Sequence, residues 1–227
     1  MLRRRTCLVA ILGAGLALCT AAPARNWSGT VTVTAQGTHI LGNPQAQVRL
    51  TEFVSYTCPH CAQFEQEAEG PLRLGFVASG KGSVKIRHLV RDPVDMTVAL
   101  LTNCGPHAKF FLNHSAFLRR QATWIGPLAS ASPGQRARWT SGAFASRTRA
   151  IALDFRFYDI MAARGYQRRE VDACLMNEPL ARRLAEATSE AQEKLGVAGT
   201  PSFAINDVVL AGTNDWPTLR PQLEARM

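Results

Sequence analysis

The sequence predicts an α/β fold in which a central mixed sheet carries one helix launched from a cysteine pair, with a helical block inserted between strands. Three observations carry this expectation. An apolar run from Val48 to Tyr56 leads directly into Thr57-Cys58-Pro59-His60-Cys61. From Asp92 to about Ala191 nearly every segment has helical periodicity. Alternating strand patterns then return at Phe203 and Ile205, just after Gly199-Thr200-Pro201. Residues 25–91 and 192–227 are therefore expected as one discontinuous sheet domain, and residues 92–191 as an inserted helical domain. Hydrophobic content of 46% and charged content of 19% suit a chain with a full core.

Taken in order, Met1 to Ala24 has the pattern of an export signal. Arg3, Arg4 and Arg5 form its positive end, Cys7 to Cys19 its apolar middle, and Ala22-Pro23-Ala24 a small-residue cleavage site. The apolar middle is too short for a membrane span, so the mature chain is expected in the periplasm. Leu16-Ala17-Leu18-Cys19 is near a lipid-anchoring signal at Cys19, but Leu before the Cys fits it badly. Arg4-Arg5-Thr6-Cys7-Leu8 is a weak twin-arginine match, and the general export route is preferred.

Thr30 to Thr34 alternates strictly and predicts a half-buried edge strand, and Thr38 to Ala46, with Gly42-Asn43-Pro44, a turn-rich connector. After the central strand, a helix starts at Pro59 and continues through Phe64 and Ala68, with Gln63, Glu65, Gln66 and Glu67 around them. It is expected to break at Gly70-Pro71 and resume through Leu72, Leu74, Phe76 and Val77. Ser83 to Val90 is a second core strand. Asp92-Pro93 opens the helical block, whose clear pieces are Met96 to Cys104, His107 to Arg120, Thr148 to Arg164 and Pro179 to Leu195. Pro127 to Ser141, with Ser132-Pro133-Gly134, is expected as a loop. A hairpin across Asn206-Asp207 and a helix from Asp215 to Arg226 close the chain.

Chemistry concentrates at the cysteine pair. Pro59 suits a helix's first turn, which places Cys58 at the helix N-terminus. Free amides and the helix dipole there favour the thiolate, the reactive species in thiol chemistry. A cysteine three residues on lies on the same face, close enough to close a small disulfide ring. Thiol–disulfide exchange is the reaction this predicts. A zinc site needs four ligands, and no second close pair is present, so no metal is expected. No cofactor is expected beyond the Cys58–Cys61 disulfide itself.

The remaining features bound the surroundings. Formal charge is +9, or +6 without Arg3, Arg4 and Arg5, and no long basic run alternates with aromatics. Nucleic acid is therefore not an expected partner, and a solvated basic surface facing an anionic membrane fits better. Export would leave four cysteines in an oxidising compartment, so Cys104 and Cys174 form the natural second pair, tying two helical segments together. The competing reading is two unpaired buried thiols. Asn26-Trp27-Ser28 and Asn113-His114-Ser115 match the glycosylation pattern at chance level. Trp124 and Trp139 fit core packing better than a client surface.

Taken together, Glu52-Phe53-Val54-Ser55-Tyr56-Thr57-Cys58-Pro59-His60-Cys61 and Gly196-Val197-Ala198-Gly199-Thr200-Pro201-Ser202-Phe203 resemble the thioredoxin superfamily, and within it the DsbA-like exported disulfide oxidoreductases. The resemblance covers nearly all of Asn26 to Met227. It implies a thioredoxin-like fold with an active-site helix. Cys58 would be the exposed attacking and leaving sulfur and Cys61 the shielded one. His60 would stabilise the Cys58 thiolate, and Thr200-Pro201 would be a cis-proline loop offering backbone to an extended client. Glu52 would be a buried proton relay for Cys61. Implied partners are cysteine-containing client proteins and a quinone-linked membrane protein that reoxidises a monomeric enzyme.

A stabilised Cys58 thiolate makes the disulfide a strong oxidant, so donation to clients is the expected direction. Thr before the proline also occurs in proteins resembling isomerases and reductases. A separate dimerisation domain, which dimeric isomerases carry, does not fit in the roughly thirty residues between signal and motif. The residues also leave open a dedicated oxidant for one pathway and a non-redox peptide-binding chaperone. The intact cysteine pair argues against the chaperone.

Overall fold

The computed structural model describes residues 25–227, so the expected export signal, Cys7, Cys19 and the lipid-anchor reading lie outside the described residues. Strand β1 (Val31–Val33) forms one edge of a six-stranded sheet. β2 (His39–Gly42) pairs antiparallel with it and with a later strand. This corrects the connector expected over Thr38–Ala46. His-Ile-Leu-Gly is too short to show a clear alternation, and pairing on both sides decides its conformation.

β3 (Val48–Val54) follows and enters α1 (Pro59–Pro71), which returns the chain to β4 (Gly82–His88), parallel to β3. The sheet order is β1-β2-β4-β3, then two C-terminal strands. β3 thus has neighbours on both sides and cover on both faces, and only Arg49 of its residues is exposed. Its period of two sends Leu50 and Val54 into the large core with α1, and Phe53 into a smaller cluster with Ala191, Val197 and Ala204. Glu52, in phase with Leu50 and Val54, faces α1.

The α1 face that packs on the sheet contains Cys61, Phe64, Glu65 and Ala68. Glu65 is therefore buried, not among the solvent-facing polar residues. The break expected at Gly70-Pro71 is a change of hydrogen-bond pattern. Pro71 has no amide proton to give, and the helix continues as a π-helical stretch over Leu72–Val77.

The block between β4 and the next strand is helical. It comprises α2 (Pro93–Thr102), a 3-10 turn at His107–Lys109, α3 (Phe110–Arg119), α4 (Gln121–Trp124), α5 (Gly126–Ser130), α6 (Pro133–Thr140), α7 (Phe144–Asp154), α8 (Phe157–Ala163), α9 (Arg168–Leu175) and α10 (Glu178–Leu195). The loop expected over Pro127–Ser141 is corrected to two short helices. Ser132 caps α6 in a reciprocal box with Gln135, so Ser-Pro-Gly here starts a helix. Thr148 to Arg164 is two helices, divided where Arg156 turns left-handed at φ +58°. Trp124 and Trp139 are buried against Phe155. The insertion's expected end at residue 191 falls inside α10, whose Ala191 packs on the sheet.

β5 (Ser202–Ile205) pairs antiparallel with β3 and joins β6 (Val208–Val209) across Asn206 and Asp207. Both turn residues have positive φ, +50° and +68°, as a two-residue type I′ hairpin requires. α11 (Trp216–Glu224), capped by Asp215, packs beside α1. No helix among the described residues is long and apolar enough to cross a membrane.

Candidate active site

β3 ends where the parallel pair of the sheet opens, and the next residues deliver Cys58 to the N-cap of α1 with Pro59 at the first helical position. Cys58 and Cys61 are free thiols. The Cys58 Sγ–H lies 3.1 Å from the carbonyl of Thr200, whose peptide bond to Pro201 is cis. Sequence-distant Thr200-Pro201 thus closes over the sulfur, and Cys58 is only 2% exposed. This corrects the exposed position expected for it.

The two thiols are displaced in opposite directions. Cys58 is lowered to about 5, chiefly because the Cys61 thiol hydrogen-bonds to it. Burial opposes this, while the Thr200 side chain and the main-chain amides of Cys61 and His60 support it. Cys61 is pushed well above the usual thiol range by burial first, then by its hydrogen bond to Cys58 and the charges of Cys58 and Glu52. The contribution of His60 comes from its main chain. Its ring is exposed and makes no hydrogen bond among the described residues, because the first helical turn aims its amides, not its side chains, at the N-cap.

Residues of the insertion hold the segment before Cys58. Asp95 accepts from the Ser55 hydroxyl at 2.6 Å, the Tyr56 amide at 2.7 Å and the Arg91 amide at 3.0 Å. Thr57 donates to Asp92 at 2.6 Å. The Gln121 side-chain amide donates to the carbonyls of Tyr56 and Cys58 at 2.7 and 2.8 Å. None of Asp95, Arg91 or Gln121 stood out in the sequence. Asp95 had one signal, an acid on the apolar face of an otherwise hydrophobic helix.

Glu52 sits behind the cysteines, 3% exposed. Burial raises its carboxyl to about 7, with His114 opposing and Glu65 adding to the rise. Glu52, Glu65 and His114 line one pocket of about 30 Å³. His114 lies far from Glu52 and Glu65 along the chain, and the fold alone brings it here. Glu65 was findable, since it follows Cys61 by four residues and so shares its helix face. Cys104 and Cys174 are joined by a disulfide with Cα atoms 5.6 Å apart. Cys104 lies just beyond α2 and not within it, so the bridge ties the exit of α2 to α9.

Fold and site together define a thioredoxin-like protein with a dithiol at a helix N-terminus facing a cis-proline loop. The chain belongs to the thioredoxin family, whose model, described as thioredoxin, matches residues 34–225. It is similar to a Novosphingobium aromaticivorans structure titled protein-disulfide isomerase, with 60% identity and a TM-score of 0.80, covering 83% of this chain and 96% of that one. The structure of Wolbachia pipientis α-DsbA1 shares the fold at 18% identity and a TM-score of 0.66, covering 85% of this chain and 92% of that one. A Rickettsia typhi protein named as a protein-disulfide oxidoreductase is 25% identical over 170 residues, 74% of this chain and 54% of that protein. The chain therefore spans about half the length of the curated relatives it matches.

Proposed function

We propose that the protein is a thiol–disulfide oxidoreductase that donates the Cys58–Cys61 disulfide to cysteine-containing client proteins. The observation that carries this is a pair of free thiols one helical turn apart at a helix N-terminus, with Cys58 Sγ 3.1 Å from the carbonyl of Thr200 in a cis-proline loop. The opposite displacement of the two thiols agrees with it. A client thiolate attacks Cys58 Sγ, the Cys58–Cys61 bond breaks, and Cys61 leaves as a thiolate that takes up a proton. A second client thiolate then attacks the client's own sulfur of the mixed disulfide and expels Cys58. Because the Cys58 thiolate is stabilised, it leaves readily and the reduced enzyme is favoured. The client chain lies extended beside Thr200 and Pro201, and Glu52 supplies the proton that Cys61 takes up. No cofactor is required, and a quinone-linked membrane protein in the periplasm accepts the electrons.

A second reading, disulfide isomerase, is favoured by the name of the 60% identical Novosphingobium protein. One equilibrium measurement separates donation from reduction. A reduction potential of the Cys58–Cys61 pair above about −180 mV in glutathione buffers supports donation, and one near −270 mV, thioredoxin's range, overturns it in favour of a reductase. Faster recovery of a scrambled substrate than of a reduced one would move the assignment to isomerase.

A further inference from the structure

We infer that His114, carried on α3 of the insertion, forms with Glu65 a proton store that serves Glu52 across the pocket they share during exchange at Cys61. This rests on the oxidoreductase reading above and extends it to a residue pair outside the cysteine motif.

Two buried oxygens are orphaned. Glu52 Oε1 and Glu65 Oε1 have no hydrogen-bond partner among the described residues. Leaving such an atom unpaired in an apolar core is destabilising. Both carboxyls line the cavity of about 30 Å³, whose other walls include Phe64, Leu72, Ile86 and Phe111. A cavity holds a water once it offers roughly 10–15 Å³ and two or more polar partners. This one has the volume, and Glu52, Glu65 and His114 provide the partners.

The hydrogen bonds around His114 fix which of its nitrogens carries a proton. Thr102 donates its hydroxyl proton to the Ala99 carbonyl, 3.0 Å away. The Tyr56 hydroxyl donates to Thr102 Oγ1 at 3.2 Å. Tyr56 can therefore only accept from His114 Nδ1, 2.9 Å away, so Nδ1 bears a hydrogen. That leaves Nε2 facing Glu65 Oε2 at 3.6 Å. A bare nitrogen cannot face a bare carboxylate oxygen there without repulsion. One proton must sit between them, and Nε2 holds it as an imidazolium. Burial works against the imidazolium, but the Glu65 carboxyl 3.6 Å away and the charge of Glu52 raise His114 above its usual range.

The groups facing this pair are few. Glu52 comes from β3, Glu69 and Arg73 from the α1 side, and His88 from β4. Burial holds His88 neutral, lowered to about 3. The Glu69–Arg73 ion pair lines the same cavity and is partly exposed, so it marks the way to solvent.

Protons balance through the exchange. When a client thiolate opens the disulfide, Cys61 leaves as a thiolate and takes the proton of Glu52. Glu52 becomes a carboxylate. The proton held between His114 and Glu65 crosses the cavity to Glu52, and solvent restores it past Glu69. In the reverse direction Glu52 accepts the Cys61 proton and the chain runs backwards. His114 does not touch the reacting sulfurs and is a positioning residue that acts through Glu52.

The test uses the full chain with ¹⁵N-labelled histidine and two variants, His114→Gln and Glu65→Gln. In the wild type, His114 Nδ1 should remain protonated while Nε2 titrates together with Glu52. In His114→Gln, loss of the neighbouring positive charge should move the pH inflection for Cys61 resolving a glutathione mixed disulfide up by about one unit, roughly tenfold in rate at pH 7. Alkylation of Cys58 by iodoacetamide should keep its pH profile. A folded His114→Gln protein with an unmoved resolution profile would overturn the inference. If that variant does not fold, Glu65→Gln and the wild-type nitrogen spectrum decide, and a His114 with Nδ1 unprotonated between pH 5 and 9 overturns it equally. An ordinary alkylation profile for wild-type Cys58 would instead remove the disulfide-donor reading on which the inference rests.

Discussion

Between Cys58 and Cys61 the chain makes one helical turn, yet the two thiols experience opposite environments. The N-cap sulfur collects donors from Cys61, Thr200 and two amides, while the sulfur on the buried face collects burial and negative charge. Alkylation of Cys58 is expected to show an inflection near pH 5 in the reduced protein. The stability consequence has a definite sign. A thiol pKa lowered on folding contributes stability that is complete above the unfolded value near 9 and is lost as pH falls through about 5. The reduced protein should melt above the oxidised one at pH 7, and the gap should close below pH 5. Glu52 behaves oppositely. Its carboxyl is raised from 4.5 to about 7, so the folded state holds its proton more tightly and stability falls as pH rises through that window. Glu52→Gln should therefore stabilise the protein at pH 8 by about 3 kcal/mol relative to its effect at pH 4, as read from urea unfolding at the two pH values. An equal effect at both would mean the carboxyl is not buried as described.

At the scale of elements, the site depends on a clamp between sheet and insertion. The Ser55–Cys58 segment is irregular backbone, and its polar groups are satisfied by Asp95 on α2 and Gln121 on α4. Gln121→Ala would leave the buried Tyr56 carbonyl without its partner. A loss of about 2 kcal/mol is expected in chemical denaturation, together with a changed alkylation rate at Cys58. A merely peripheral α4 would leave both unmoved. β1, β3, β4 and the final hairpin were legible in the sequence because each shows clear alternation or a turn signal. β2 was not, being too short to alternate. Neither were α5 and α6, where Pro and Gly suggested a loop although Ser132 and Gln135 carried a capping box.

Across the whole molecule, the insertion is stapled by Cys104–Cys174, which closes a loop with a sequence separation of 70 residues. Loop-closure entropy on that scale amounts to about 4 kcal/mol. Replacing both cysteines by Ala should lower the melting temperature while leaving the Cys58 alkylation profile near pH 5. A shifted profile would show that the staple also sets the geometry of the cysteine motif.

The fold class was legible because local signals suffice for it. The apolar strand into Cys-Pro-His-Cys, the helical periodicity between residues 92 and 191, and Gly-Thr-Pro ahead of Phe203 are all features of contiguous residues. What tertiary structure alone decided is which distant side chains share the inner face of α1. Glu65 carries its helix phase in the sequence, but nothing local places His114 beside it, or Tyr56 and Thr102 around that imidazole. Those pairings arise from how α3 docks on α1 and the sheet, and packing between residues so far apart along the chain leaves no periodic trace in it.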